Sequence, residues 1–195
     1  MSFMAWLALI LLVAFGVVCI GIRSWIHWRQ TGGSPFLSGP VGHGAVAVSG
    51  FALPFAGGPI LDLTGTLGRV VDSTALGIVG AVLATAGVAA TMWAQLAMGK
   101  SWRIGVDESE RTDLVTSGPY RVVRNPIYTA MFAFAVGEAL LVPNWLTIGG
   151  LVAIVVVIDA VVRRVEEPYL ESVHGDSYRA WTSATGRFLP GIGRT

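Results

Sequence analysis

The chain has 195 residues, 53% hydrophobic and 13% charged, with a mean hydropathy of +0.66. A soluble domain carries about 25% charged residues, so this composition excludes an ordinary water-soluble globule and indicates a membrane protein. A net charge of +1 without a block of like charge excludes a nucleic-acid footprint, and the single cysteine, Cys19, excludes an intrachain disulfide.

Residues 3–22 carry no charge. At about 1.5 Å per residue they are long enough to cross a hydrocarbon core of about 30 Å. No basic residue precedes them, as a cleaved signal would require, so a retained span is expected. Arg23, Trp25, Trp28 and Arg29 follow as an interfacial anchor. Residues 41–61 form a second uncharged run, interrupted by Pro54 and Pro59; it reads as a span, with a re-entrant hairpin as the alternative. Residues 74–98 form a third. There Gly77, Gly80, Ala84 and Gly87 recur at helical spacing, a stripe of small residues suited to close helix packing.

The longest polar segment, residues 99–125, ends in the stretch on which the chain is organised, Leu-Val-Thr-Ser-Gly-Pro-Tyr-Arg-Val-Val-Arg-Asn-Pro-Ile-Tyr (114–128). Ser117-Gly118-Pro119 and Asn125-Pro126 each have the form of a cap followed by proline at a first helical position. Arg121, Arg124 and Tyr128 are spaced to share one helical face. Residues 126–142 and 145–162 are a fourth and a fifth span, joined by Pro143-Asn144 as a helical hairpin. At the end of the fifth, Asp159, Arg163 and Glu166 form one stripe and Arg164 and Glu167 a parallel one. Pro168 then loosens the helix. Beyond it the chain is amphipathic, with Gly175 as a helix C-cap dividing two short helices that lie along the membrane surface.

The expected fold is therefore an all-α integral membrane protein. Five transmembrane helices, a cytoplasmic loop and C-terminal amphipathic helices make a single domain with a juxtamembrane site. Of the 13 basic residues only Arg69 falls on the far side of this topology. That asymmetry places the amino terminus outside and the loop and tail in the cytoplasm. The excess of arginine over lysine fits a GC-rich, bacterial coding sequence, hence an inner membrane. His27, His43 and His174 are scattered, so no metal site is expected.

The ordered set Leu-Val-Thr-Ser-Gly-Pro-Tyr, Arg-x-Pro-x-Tyr, hairpin, Glu-Glu-x-x-Leu, Gly-x-x-Tyr and Arg-Phe-Leu-Pro resembles the isoprenylcysteine carboxyl methyltransferase family, to which phospholipid methyltransferases are related. The resemblance covers about residues 99–190. It implies an S-adenosylmethionine-dependent methyltransferase whose cofactor is lined by Thr112, Asp113, Leu114, Val115, Tyr120, Asn125, Pro126, Ile127 and Tyr128. Glu166 of the Glu166–Glu167 pair would close the site. Arg163 and Arg164, with Arg124, are the catalytic candidates, since an arginine one turn before the acidic pair is associated with the methyl acceptor. That arginine's matching position is Val162, one residue early. The acceptor is expected to be a lipophilic small molecule or lipid entering from the bilayer.

Carboxylates suit the cofactor's sulfonium and ammonium, and helix N-termini or arginine suit its carboxylate. Asn125 stands where the family has histidine; an amide does not titrate, which excludes a proton shuttle there. Two other readings remain. Membrane sterol and steroid reductases share Arg-x-Pro-x-Tyr and would bind NADPH through Arg103, Arg121 and Arg124. A membrane protein that kept the fold without the chemistry is the third.

Overall fold

The computed structural model describes residues 2–36, 43–104 and 113–195. Regular structure there is helical; strand-like pairing is limited, among the described residues, to three isolated bridges. Helix α1 (Ser2–Phe15) passes through a π-helical turn (Gly16–Ile22) into α2 (Arg23–Thr31). The first helix thus runs well beyond residue 22, and stops at Gly32, whose φ of 73° only glycine adopts without strain. Then come α3 (His43–Leu63), α4 (Thr74–Ala97), α5 (Pro126–Leu141) and α6 (Trp145–Val161). A second π-helical turn (Val162–Glu166) leads to α7 (Glu167–His174), and α8 (Asp176–Ala184) follows Gly175.

The second π-helical turn has a visible cause. Pro168 has no N–H and its ring crowds the carbonyl four residues back, so the helix widens before the proline instead of breaking. Proline acts differently in α3, which stays one helix through Pro54 and Pro59. The re-entrant hairpin considered for this segment is not what the chain forms. Glycine on α6 makes room for the Pro54 ring: a Cβ on Gly150 would stand 2.5 Å from Pro54 Cγ.

Helix α5 packs chiefly on α4. A Cβ on Gly87 would lie 2.7 Å from the Phe134 backbone nitrogen, and one on Gly80 2.6 Å from the Gly137 carbonyl. The small-residue stripe therefore serves contact within the chain at these positions, while Gly77 receives the Met4 side chain. Phe134 extends from this interface into an aromatic core, its ring 4.6 Å from Phe15 and 5.7 Å from Phe51.

Two polar ends result. At one, Val70 N–H donates to Pro143 O at 2.7 Å, so the α3–α4 loop meets the α5–α6 turn. Asn144 caps α6 there through a reciprocal pair with Thr147. Arg69 is neutralised at that end by Asp62 at 2.8 Å. The other end holds α2, the residues after α4, the start of α5 and everything after α6, and with them every other described basic residue. Among the described residues, three helices have the length and apolar composition to cross a membrane: Phe3–Thr31, Thr74–Ala97 and Trp145–His174. Phe51–Leu63 and Pro126–Leu141 are shorter apolar helices.

Candidate functional site

The site is built where the 114–128 stretch meets the end of α6. Ser117 does not start a full helix. Gly118, at φ 58°, turns the chain into a short 3-10 turn, Gly118–Arg121, with Pro119 in its first positions. That turn buries Tyr120, whose hydroxyl donates to Ala94 O of α4 at 3.4 Å. The turn ends before Arg124, so Arg121, Arg124 and Tyr128 do not share one helical face: Arg121 is exposed and Arg124 is buried. Asn125 precedes α5 but makes no capping hydrogen bond through its side chain. Its Nδ2 instead donates to Arg187 O at 3.3 Å.

This contact belongs to a lacing of the C-terminal tail onto the start of α5. Arg124 N–H donates to Gly186 O at 2.8 Å, Asn125 N–H to Arg187 O at 3.1 Å, and Thr129 Oγ1 to Phe188 O at 2.8 Å. Trp181 of α8 adds its indole N–H to Tyr120 O at 3.2 Å. At the centre sits Glu167. Arg187 grips it with Nε at 2.7 Å and Nη2 at 2.8 Å, and Arg124 Nη2 reaches the same carboxylate at 2.9 Å. Arg124 also donates to the carbonyls of Thr182 and Gly193. Glu167 and Arg124, expected as a cofactor-binding and a catalytic residue, are thus paired with each other in this clasp. A buried guanidinium pair needs a carboxylate, and Glu167 is the one supplied.

Glu166 has a different environment. Its Oε1 accepts from Tyr128 OH at 2.5 Å, it is half-buried, and no arginine pairs with it among the described residues. Burial, with the field of Glu166 added, pushes the Tyr120 phenol well above the ordinary tyrosine range. Burial pushes Tyr178 up to about 12. Burial thus favours the protonated phenol at both positions, and that of Tyr120 is the donor to Ala94 O.

The remaining expected residues are spread around this centre. Pro126 is buried at the head of α5 and Ile127 is half-buried beside it. Asp113, Leu114 and Val115 form irregular chain on the approach, with Asp113 exposed; Thr112 lies outside the described residues. Arg163 and Arg164 face outward. Arg163 holds Asp159 at 2.8 Å as an exposed pair. Together the two arginines line an open groove of about 410 Å³ with Val155, Val156, Asp159, Ala160 and Phe188. The groove joins a smaller hollow that Arg187, Leu189 and Ile192 also border, on the outside of the clasp.

Arg187 escaped the residue-level reading although it opens the Arg-Phe-Leu-Pro motif. Its distance in sequence from Glu167 hid a partnership that only the folded tail creates.

Two comparisons with known proteins bear on this arrangement. The profile of the family described as phospholipid methyltransferase matches residues 76–177. Among solved structures, the chain resembles a eukaryotic intramembrane Ras methyltransferase, an isoprenylcysteine carboxyl methyltransferase. The TM-score is 0.58 at 19% identity, over 92% of this chain and 68% of that one. At that identity the likeness is one of fold. No curated protein matches the sequence significantly.

Proposed function

The chain belongs to the phospholipid methyltransferase family, and on that premise we propose that it is an integral membrane enzyme that moves a methyl group from S-adenosylmethionine to a lipophilic acceptor. In this reading five helices span the bilayer, and the arginine-rich end, with its site, faces the cytoplasm. The observation that carries the proposal is the division of labour within the acidic pair. Glu167 is neutralised by two arginines, whereas Glu166 is held by a neutral phenol and, among the described residues, is paired with no arginine, which leaves it open to a cationic ligand.

The residues fit the cofactor on this ground. A half-buried carboxylate fixed by Tyr128 is complementary to a sulfonium. When bound, the cofactor supplies a methyl group whose bond to sulfur breaks as the bond to the acceptor forms. The protein's part is alignment and field: Tyr128 orients Glu166, while the clasp holds the 120–128 stretch against the end of α6. The groove at Arg163 and Arg164, apolar along Val155 and Val156, provides the lateral approach for an acceptor whose tail stays in the bilayer. Against the reductase reading, two of its three phosphate arginines are engaged within the chain: Arg124 pairs with Glu167, and Arg103 donates to the carbonyls of Lys100 and Trp102.

The test is transfer of labelled methyl from S-adenosylmethionine into the lipid fraction of membranes containing the protein, with Glu166→Gln as control. Label in lipid that depends on Glu166 supports the proposal. Absence of transfer to any lipid class from a folded, cofactor-binding protein would remove the lipophilic acceptor.

A further inference from the structure

Residues 186–195, Gly-Arg-Phe-Leu-Pro-Gly-Ile-Gly-Arg-Thr, carry two arginines and no acid. They fold into a tight turn that is fastened at its base. Arg187 N–H donates to Ile192 O at 2.8 Å, and Ile192 N–H to Leu189 O at 3.1 Å. Gly191 has a φ of 76°, and a Cβ on Gly186 would strike the Leu189 carbonyl, so the turn needs glycine at both places. The Phe188 ring packs on Phe132 of α5 with centroids 5.3 Å apart, and Arg124 holds the Gly193 carbonyl at 2.8 Å. Beyond this base the tip points away from the protein. Leu189 is 54% exposed and Ile192 64%, and Pro190 between them is exposed too.

A single apolar side chain in water is ordinary. Here three stand together on a turn whose backbone is bonded in place, so they do not fold back onto the protein. Their neighbour supplies the reason. Phe188, at the base of the turn, lines the same groove as the exposed Val155 and Val156 of α6, which is part of a helix long and apolar enough to cross a membrane. Leu189 and Ile192 border the adjoining hollow together with Arg163. Val156 lies seven residues before Arg163. This side of α6 therefore runs about 10 Å from the arginine into apolar surroundings. Amphipathic elements sink about 5–10 Å into the boundary between headgroups and acyl chains, so the turn stands at that depth. The charges around the tip agree. Arg163 borders it on one side, and on the other a Cβ on Gly191 would lie 3.5 Å from Arg194 Nη2. Arginines so placed keep their stems in lipid and their cationic heads among phosphates.

We infer that the 189–192 turn is a membrane-inserted wedge: Leu189, Pro190 and Ile192 enter the acyl chains of the leaflet at the arginine-rich end, beside α6. The groove between turn and helix then opens into lipid and not into water. A tip of four residues falls far short of the roughly 800 Å² per partner that a stable protein interface buries, whereas lipid requires no complementary shape. The inference rests on α6 crossing the bilayer and is independent of the methyl-transfer chemistry.

The experiment uses the full chain with Cys19→Ala, reconstituted at a low protein-to-lipid ratio in vesicles of phosphatidylcholine and phosphatidylglycerol. Leu189→Cys and Ile192→Cys each carry an environment-sensitive nitrobenzoxadiazole label. Its emission is read against two quenchers: iodide on both sides of the membrane, and lipid spin-labelled near the top of its acyl chain. Val156→Cys reports the apolar face of α6 and Asp176→Cys the exposed tail. The expected result is a tip label that emits at shorter wavelength than the label at Asp176→Cys. It loses fluorescence to the spin-labelled lipid as Val156→Cys does and is shielded from iodide. Either tip position decides the matter if the other variant does not fold. Iodide quenching of the tip at the level of Asp176→Cys, with Val156→Cys quenched by lipid, overturns the inference and leaves α6 in the membrane. Iodide access at Val156→Cys as well overturns both. A tip shielded from iodide but not quenched by lipid is covered by protein, a second copy included, and also overturns the wedge.

Discussion

Glu166 and Glu167 are adjacent in sequence and have different partners, because a helix turns them about 100° apart. Glu167 is the common partner of two guanidiniums whose side chains are only 2% and 8% exposed. Removing its charge leaves both cations buried, and Glu167→Gln is expected to cost about 3 kcal/mol, read as a lower denaturation midpoint. Glu166→Gln leaves no arginine stranded. Its stability should stay near wild type while affinity for S-adenosylhomocysteine falls about 100-fold. Equal stability losses in the two variants would place Glu166 in the scaffold as well. Glu138 illustrates the cost of a carboxyl without a partner: it is 0% exposed and, among the described residues, neither oxygen has a hydrogen bond. Glu138→Met keeps the length of the side chain and removes the polar head, so it is expected to stabilise by about 1–3 kcal/mol in chemical denaturation. A loss of stability would mean the acid has a partner in the membrane.

At the scale of elements, α4 and α5 approach so closely that backbone meets backbone. Gly87→Ala would drive a methyl to 2.7 Å from Phe134 N, which no side-chain rotation relieves. The expected loss is about 1–3 kcal/mol or more, measurable as a drop in melting temperature; an unchanged midpoint would show the helices free to separate. This stripe was readable in the sequence because small residues at helical spacing mark a contact whatever the partner. The length of the first helix was not readable: the apolar run ends at Ile22, yet Arg23 is buried against α4 and the helix continues to Thr31. Charge at position 23 signals an interface in sequence, whereas the folded chain gives it two helix-end carbonyls and a Trp ring. The tail is the other case. The sequence shows short helices divided by Gly175, and Gly175 does cap α7, but nothing in residues 186–195 announces that they lace onto Arg124 and Asn125. Asn125 has the sequence of a cap and spends its amide on Arg187 instead.

For the whole molecule, the opposed polar ends make the topology testable. Thr66 lies in the loop beside Arg69 and Asp176 at the start of α8, both exposed and at opposite ends. In a Cys19→Ala background, cysteine at Thr66 is expected to react with an impermeant reagent on intact cells, and cysteine at Asp176 only after lysis. The reverse pattern would put the arginine-rich end outside, away from any cytosolic cofactor. The bundle and the motif order were legible in the sequence because they depend on apolar length and local spacing. Which carboxylate was free was not, since that was decided by arginines 43 and 20 residues away. The central claim is that this free carboxylate serves a sulfonium cofactor at the arginine-rich end. Calorimetry of the purified protein with S-adenosylhomocysteine and, separately, with NADPH tests it most directly. Saturable one-to-one binding of S-adenosylhomocysteine, with no heat from NADPH, is the predicted result; binding of NADPH alone would contradict the account.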